Sequence, residues 1–186
     1  MTNSVDIDNI NAIKWGEKMI LYPKLYFKSV TEITIEILKE HNIKGLILDV
    51  DNTIIDIDRN MDEKVKEWVE GLKAQGIKFC IVSNTNKHDK VRDVSKILDI
   101  PYFYFCKKPS RQGFMKAKKI MNLSEENIAA VGDQIMTDVI GANRSKMFPI
   151  LVEPISKKDI LITRIKRPAE KIIIKSYLRK HGKERK

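Results

Sequence analysis

The sequence predicts a three-layer α/β/α domain around a mainly parallel sheet. Short β-rich apolar runs alternate with amphipathic helical stretches between residues 43 and 153, and such alternation implies right-handed βαβ units. The apolar runs are only four or five residues long, which suits strands buried on both faces. Acids, a hydroxyl and a lysine then follow strand after strand, at the edge where such sheets bind ligands.

The elements follow in order. "IKGLILDVD" (43–51) is an apolar run after Gly45 and reads as a buried strand. "MDEKVKEWVEGLKAQG" (61–76) places Val65, Trp68, Val69 and Leu72 at helical spacing, with Gly76 as its stop. "IKFCIVSN" (77–84) is the second strand. "HDKVRDVSKILDIP" (88–101) is a helix with Val91, Val94, Ile97 and Leu98 on one side, ended before Pro101. "YFYFC" (102–106) is a short third strand. "SRQGFMKAKKIMN" (110–122) is a helix with Phe114, Ala117 and Met121 inward. "IAAVGD" (128–133) is the fourth strand, "MTDVIGANRSKM" (136–147) a helix and "FPILVE" (148–153) the fifth strand.

The chain has 186 residues, of which 42% are apolar and 32% charged, as expected of one folded domain. No stretch approaches the roughly 20 apolar residues that span a bilayer. "MTNSVDIDNI" lacks the basic start and long apolar core of a secretory signal, so a cytoplasmic protein is expected. Cys80 and Cys106 lie in strand-like runs and read as small buried hydrophobes. The net charge of +10 is concentrated at one end. Residues 157–186 hold 12 basic and 3 acidic side chains, against 23 and 22 in the rest. Three segments are therefore expected: a helical or apolar flank (1–42), a catalytic core (43–156) and a basic tail or amphipathic helix (157–186). Such a tail suits an anionic partner, phospholipid or nucleic acid, or it is a solubilising surface.

The first strand is followed by Asp49 and Asp51, the second by Ser83 and Asn84, the third by Lys107 and Lys108, and the fourth by Asp133 with Asp138 beyond it. Converging carboxylates repel unless a cation lies between them. Hard oxygen donors suit Mg²⁺ together with substrate phosphate oxygens. A serine hydroxyl and a lysine ammonium suit a transferring phosphoryl group. The combination points to phosphoryl transfer through an aspartyl-phosphate. Asp56 and Asp58 read as turn residues rather than metal ligands, and Lys107 as a solvated neighbour.

"DVDNTI", "IVSN", "KKP" and "VGDQIMTD" occur in that order, each after a strand. They resemble the four motifs of the haloacid dehalogenase superfamily, whose core is Rossmann-like. The resemblance implies that Asp49 is the nucleophile and a Mg²⁺ ligand. It implies that Asp51 is the general acid and base, with its backbone carbonyl on the metal. Ser83 and Asn84 would bind phosphate, Lys108 would neutralise the aspartyl-phosphate, and Asp133 would bind Mg²⁺. Thr53 and Asp138 would support the site. The intervals 53–62 and 83–108 are too short for an inserted cap domain, so the site is expected to be open to a bulky substrate.

The flanks "WGEKMILYPKLYFKSVTEITIEILKEHNIKGLILDVDNT" and "TRIKRPAEK" resemble capless phosphatases acting on phosphatidylglycerophosphate. One departure is "SNTNKHDK", where Thr85 and Lys90 replace an expected Asn and Arg. The implied partner is an anionic phospholipid headgroup, met at the inner membrane face. The rival readings are a phosphatase for nucleic-acid ends or a soluble phosphomonoester, and a non-catalytic nucleic-acid-binding protein. In the tail, Ala169, Ile172, Ile173 and Tyr177 form an apolar stripe beside Lys171, Lys175 and Arg179. It can lie in a membrane interface or pack on the body. The cluster from Trp15 to Phe27 is open to the same two readings, interfacial docking or a helix packed on the sheet.

Overall fold

In the computed structural model, which describes residues 20–156, 170 and 172–179, six parallel strands form one sheet. They are β1 (Leu25–Phe27), β2 (Gly45–Leu48), β3 (Lys78–Val82), β4 (Tyr102–Phe103), β5 (Ile128–Gly132) and β6 (Phe148–Val152). Their order is β1-β6-β5-β2-β3-β4, so β2 is central, between β5 and β3. The helices are α1 (Ile35–Glu40), α2 (Glu63–Ala74), α3 (His88–Leu98), α4 (Arg111–Met121) and α5 (Ile140–Arg144). A C-terminal helix, α6, covers residues 172–179.

Alternation along β2 explains the three layers. Leu46 and Leu48 pack with Val65, Val69 and Leu72 of α2 and with Val91, Val94 and Leu98 of α3. Ile47 faces the other way, toward Phe114, Ala117 and Met121 of α4. A strand buried on both faces has no polar side, so its residues are apolar throughout, as the sequence predicted. Asp62 and Ser110 start α2 and α4 by accepting from Lys64 N and Gln112 N.

The register sets the level of the site. Leu48 pairs with Ile81 on one side and Val131 on the other. Asp49 therefore follows directly on β2 at the level where Val82 and Gly132 end β3 and β5. Asp49 N donates to Val131 O at 2.9 Å, and Ser83 N to Phe103 O at 3.0 Å.

Three features differ from the sequence expectation. Leu25–Phe27, expected as part of a helix or a membrane-docking cluster, is an edge strand paired with Ile150–Val152. The third predicted strand stops at Phe103, because Phe105 has φ +51° and cannot continue a ladder. The predicted helix over 136–147 begins as a π-helical turn, Ile135–Val139, before α5. Trp15 and Met19 of the N-terminal cluster, and Ala169 and Lys171 of the tail stripe, lie outside the described residues.

The tail stripe packs on the body. Ile173 and Ile174 join Ile135, Val139 and Leu151, with Leu21 and Tyr26 alongside. Tyr177 is buried and donates to Lys24 O at 3.2 Å. Ile172, expected in the stripe, is 71% exposed instead. No described helix is long and apolar enough to cross a membrane.

Candidate active site

The loops leaving β2, β3, β4 and β5 bring the predicted residues together. Lys108, buried between β4 and α4, extends its ammonium to Asp49 Oδ1 and Asp138 Oδ1, both at 2.6 Å. Carboxylate oxygens of Asp49, Asp133 and Asp138 lie within 4.8 Å of one another, and all three residues are buried. One buried lysine thus bridges two of three clustered, buried acids. Burial pushes the Asp49 carboxyl up to about 8; Lys108 opposes this rise, while Asp138 and Asp133 add to it. Burial alone would pull the Lys108 ammonium down, yet Asp138 and Asp49 hold it above its usual value. The cluster therefore keeps its cation and remains short of positive charge.

Asp138 reaches the cluster because of two local features. Its Oδ2 accepts from Gln134 N at 3.2 Å and from Thr137 Oγ1 at 3.3 Å, which pins the π-helical turn. Gly132 clears its path: a Cβ there would overlap Asp138 Cγ and Cβ. The turn is braced from behind by the C-terminal segment, where Glu170 Oε1 accepts from Met136 N at 3.1 Å.

Ser83 is buried directly after β3, and its Oγ accepts from Thr85 N at 3.2 Å. Thr53 is also buried, and its Oγ1 meets no hydrogen-bond partner among the described residues. Asn84, expected to touch phosphate, spends its amide on the backbone of Lys108. Its Nδ2 donates to Lys108 O at 3.0 Å, and its Oδ1 accepts from Lys108 N at 2.5 Å. It thus positions the lysine that crosses to Asp49.

Asp51 sits apart from the buried cluster, with its side chain 29% exposed, and pairs through Oδ1 with Lys90 of α3. Sequence reasoning marked Lys90 only as a departure from an expected arginine; the ion pair depends on the placement of α3, which no local pattern encodes. Asp56 behaves as a turn residue, accepting from Asp58 N at 2.9 Å and Asn60 N at 2.8 Å. Lys107 is exposed, with Nζ 5.4 Å from the Phe105 ring centre.

A parallel sheet that delivers these four motifs, in order, to one edge defines a phosphatase of the haloacid dehalogenase superfamily. No cap domain interrupts it: residues 53–62 form a loop to α2, and residues 83–108 hold only α3 and β4. The family described as "Mitochondrial PGP phosphatase" matches residues 8–156, and the chain belongs to it. The "Probable phosphatase YqeG" of Bacillus subtilis (strain 168) is 41% identical over 164 residues, covering 88% of this chain and 95% of that protein. "Phosphatidylglycerophosphate phosphatase 1, chloroplastic/mitochondrial" of Arabidopsis thaliana is 25% identical over 175 residues, and the match spans 88% of this chain and 50% of that protein. A hypothetical protein of Xanthomonas campestris shares the fold, with a TM-score of 0.51, 13% identity and coverage of 67% of this chain and 72% of its own.

Proposed function

We propose that this phosphatase removes the terminal phosphate of phosphatidylglycerophosphate, through an aspartyl-phosphate on Asp49 and with Mg²⁺. The observation that carries the chemistry is the buried Asp49–Lys108–Asp138 bridge with Asp133 beside it. Hard, buried, closely spaced carboxylate oxygens fit a divalent ion. Asp49, Asp133 and the backbone carbonyl of Asp51 would hold it, with Asp138 in support. The bound ion would supply positive charge to phosphoryl oxygens.

Asp49 Oδ attacks phosphorus as the bond to the leaving oxygen breaks. Asp51, at the wetter side of the site, gives its proton to that oxygen. Lys108 balances charge on Asp49 and on the phosphoryl group that joins it. Ser83 Oγ and Thr53 Oγ1 offer hydroxyl donors to the phosphoryl oxygens. Asp51, now a carboxylate, takes a proton from water, which attacks phosphorus and returns Asp49 and free phosphate.

The lipid reading is supported by the similarity to the Arabidopsis phosphatidylglycerophosphate phosphatase and by the short intervals 53–62 and 83–108, which leave the site uncapped. A cleft of about 470 Å³ lies beside Lys90, the partner of Asp51, and is lined by Ile55, Met61, Val94 and Ile97 together with Arg59, Asn60, Glu63, Lys66 and Asp93. The test is phosphate release from phosphatidylglycerophosphate in mixed micelles, beside nucleotides and sugar phosphates, with Mg²⁺ and then with a chelator. Preference for the lipid phosphate and its loss on chelation are expected. Faster turnover of a nucleic-acid end or a sugar phosphate would overturn the substrate, and full activity in chelator would overturn the metal.

A further inference from the structure

From Ile100 to Ser124 the chain carries six basic residues and no Asp or Glu. This segment includes β4, the strand at the sheet's edge, and the loop into α4. In that loop Tyr104 is 45% exposed and Phe105 is 55% exposed. Phe105 and Lys107 both adopt left-handed backbone, at φ 51° and 54°. That conformation is uncommon for bulky residues. It is held by Phe105 N donating to Thr85 O and Cys106 N to Ser83 O, each at 3.0 Å. Two large rings are thus held at the surface. Cations accompany the rings: Lys107 Nζ lies 5.4 Å from the Phe105 ring centre, and Lys116 Nζ 5.8 Å from that of Phe103.

The position is as telling as the composition. Lys107 is the neighbour of Lys108, whose ammonium contacts Asp49. The patch therefore rims the open edge of the catalytic sheet. Aromatic rings with a polar tip or a nearby ammonium settle at headgroup level in bilayers, and lysines are drawn to anionic lipid. A nucleic-acid strand would instead need free ring faces for stacking. Here Lys107 covers one face of Phe105, and the His88 ring lies against Tyr104 at 4.7 Å between centres.

We propose that Tyr104 and Phe105, flanked by Lys107 and Lys116, dock the protein on an anionic bilayer and so present the catalytic edge to lipid headgroups. This rests on the lipid-phosphate reading of the site for its purpose, and it assigns membrane contact to a surface other than the termini.

The test is co-sedimentation of the full chain with phosphatidylcholine vesicles, with and without phosphatidylglycerol. Wild type, Tyr104→Ser/Phe105→Ser and Lys107→Ala/Lys116→Ala are compared, with thermal melts as folding controls. Hydrolysis of p-nitrophenyl phosphate reports the site without a membrane, and micellar phosphatidylglycerophosphate reports the substrate. Wild type should bind only the anionic vesicles, and the aromatic variant should lose at least tenfold of that binding. Each lysine removed should cost roughly fivefold. All variants should keep wild-type turnover of p-nitrophenyl phosphate. If micellar lipid is not hydrolysed but the aromatic variant loses vesicle binding, the substrate assignment fails and the docking surface stands. If both variants bind vesicles like wild type, or lose binding only to a labelled oligonucleotide, the docking surface is overturned whatever the micelles show.

Discussion

Replacing Lys108 with Met tests the charge balance of the site most directly. The substitution keeps much of the aliphatic stem and removes the ammonium that sits 2.6 Å from Asp49 and 2.6 Å from Asp138. Asp49, Asp133 and Asp138 then share a buried pocket with no counter-charge from this lysine. Removing one partner of a buried ion pair typically costs about 3–5 kcal/mol. The carboxyls can escape part of that cost by keeping protons, so the lower figure, about 3 kcal/mol, is expected near pH 8 in chelator. For a chain of this size that lowers Tm by roughly 6–12 °C. The pH dependence has a definite sign. In the folded protein the Asp49 carboxyl is already raised from 3.8 to about 8. A raised carboxyl contributes full stability below its unfolded value and loses it as pH climbs toward the folded one. Without Lys108 the rise is larger, but both proteins shed that contribution alike until the wild-type carboxyl titrates, so the variant's deficit should grow from about pH 7 to about pH 9. Thermal melts of both proteins in chelator across that window decide the matter. Equal Tm near pH 8, or a deficit that widens toward acid, would refute the charge-balance account.

The other predictions concern single contacts. Asp49→Asn should abolish phosphate release while remaining folded. Because it removes a buried raised carboxyl, its Tm in chelator near pH 8 should match or exceed wild type; a clear drop would count against that pKa. Gly132→Ala inserts a Cβ against Asp138 and should cost about 1–3 kcal/mol by overpacking. Activity should fall further than stability, since Asp138 must move, and wild-type turnover would show that its position is not critical. Lys90→Ala frees Asp51 and should lower kcat about tenfold or more, with a smaller change in KM. Lys90→Arg should restore most of it, and an unchanged kcat and pH profile in the alanine variant would remove Lys90 from the positioning of Asp51.

What the sequence made legible was whatever local pattern decides. β2, β3, β5 and β6 are runs of four or five apolar residues, and a strand buried on both faces leaves little other choice. Asp49, Ser83 and Asp133 were legible because each stands at or just past a strand end, where register alone places them together. β1 was not legible: three half-buried residues beside Pro23 become a strand only because β6 offers a free edge. The π-helical turn was hidden for a related reason. "MTDVIG" has helical spacing, and only the bonds that draw Asp138 toward Gln134 and Lys108 distort the turn. Asn84 was placed beside the phosphate, but its amide matches the backbone of Lys108 across the loop.

The C-terminal segment shows how packing redirects a functional reading. Its sequence offered one apolar stripe for two uses, membrane or body, and a side chain buried in one is lost to the other. Ile173, Ile174 and Tyr177 face the body, and Glu170 is buried against the turn that carries Asp138. Among the described residues, those that face outward include Ile172, Lys175, Leu178 and Arg179, two exposed aliphatic side chains between charges. Burying both is worth about 3–6 kcal/mol at most, with the apolar face that packs on the body unable to add to it. The segment is better placed to hold the Asp138 turn in position. The bilayer contact proposed for Tyr104 and Phe105 draws on none of these side chains, so the two surfaces can be tested apart.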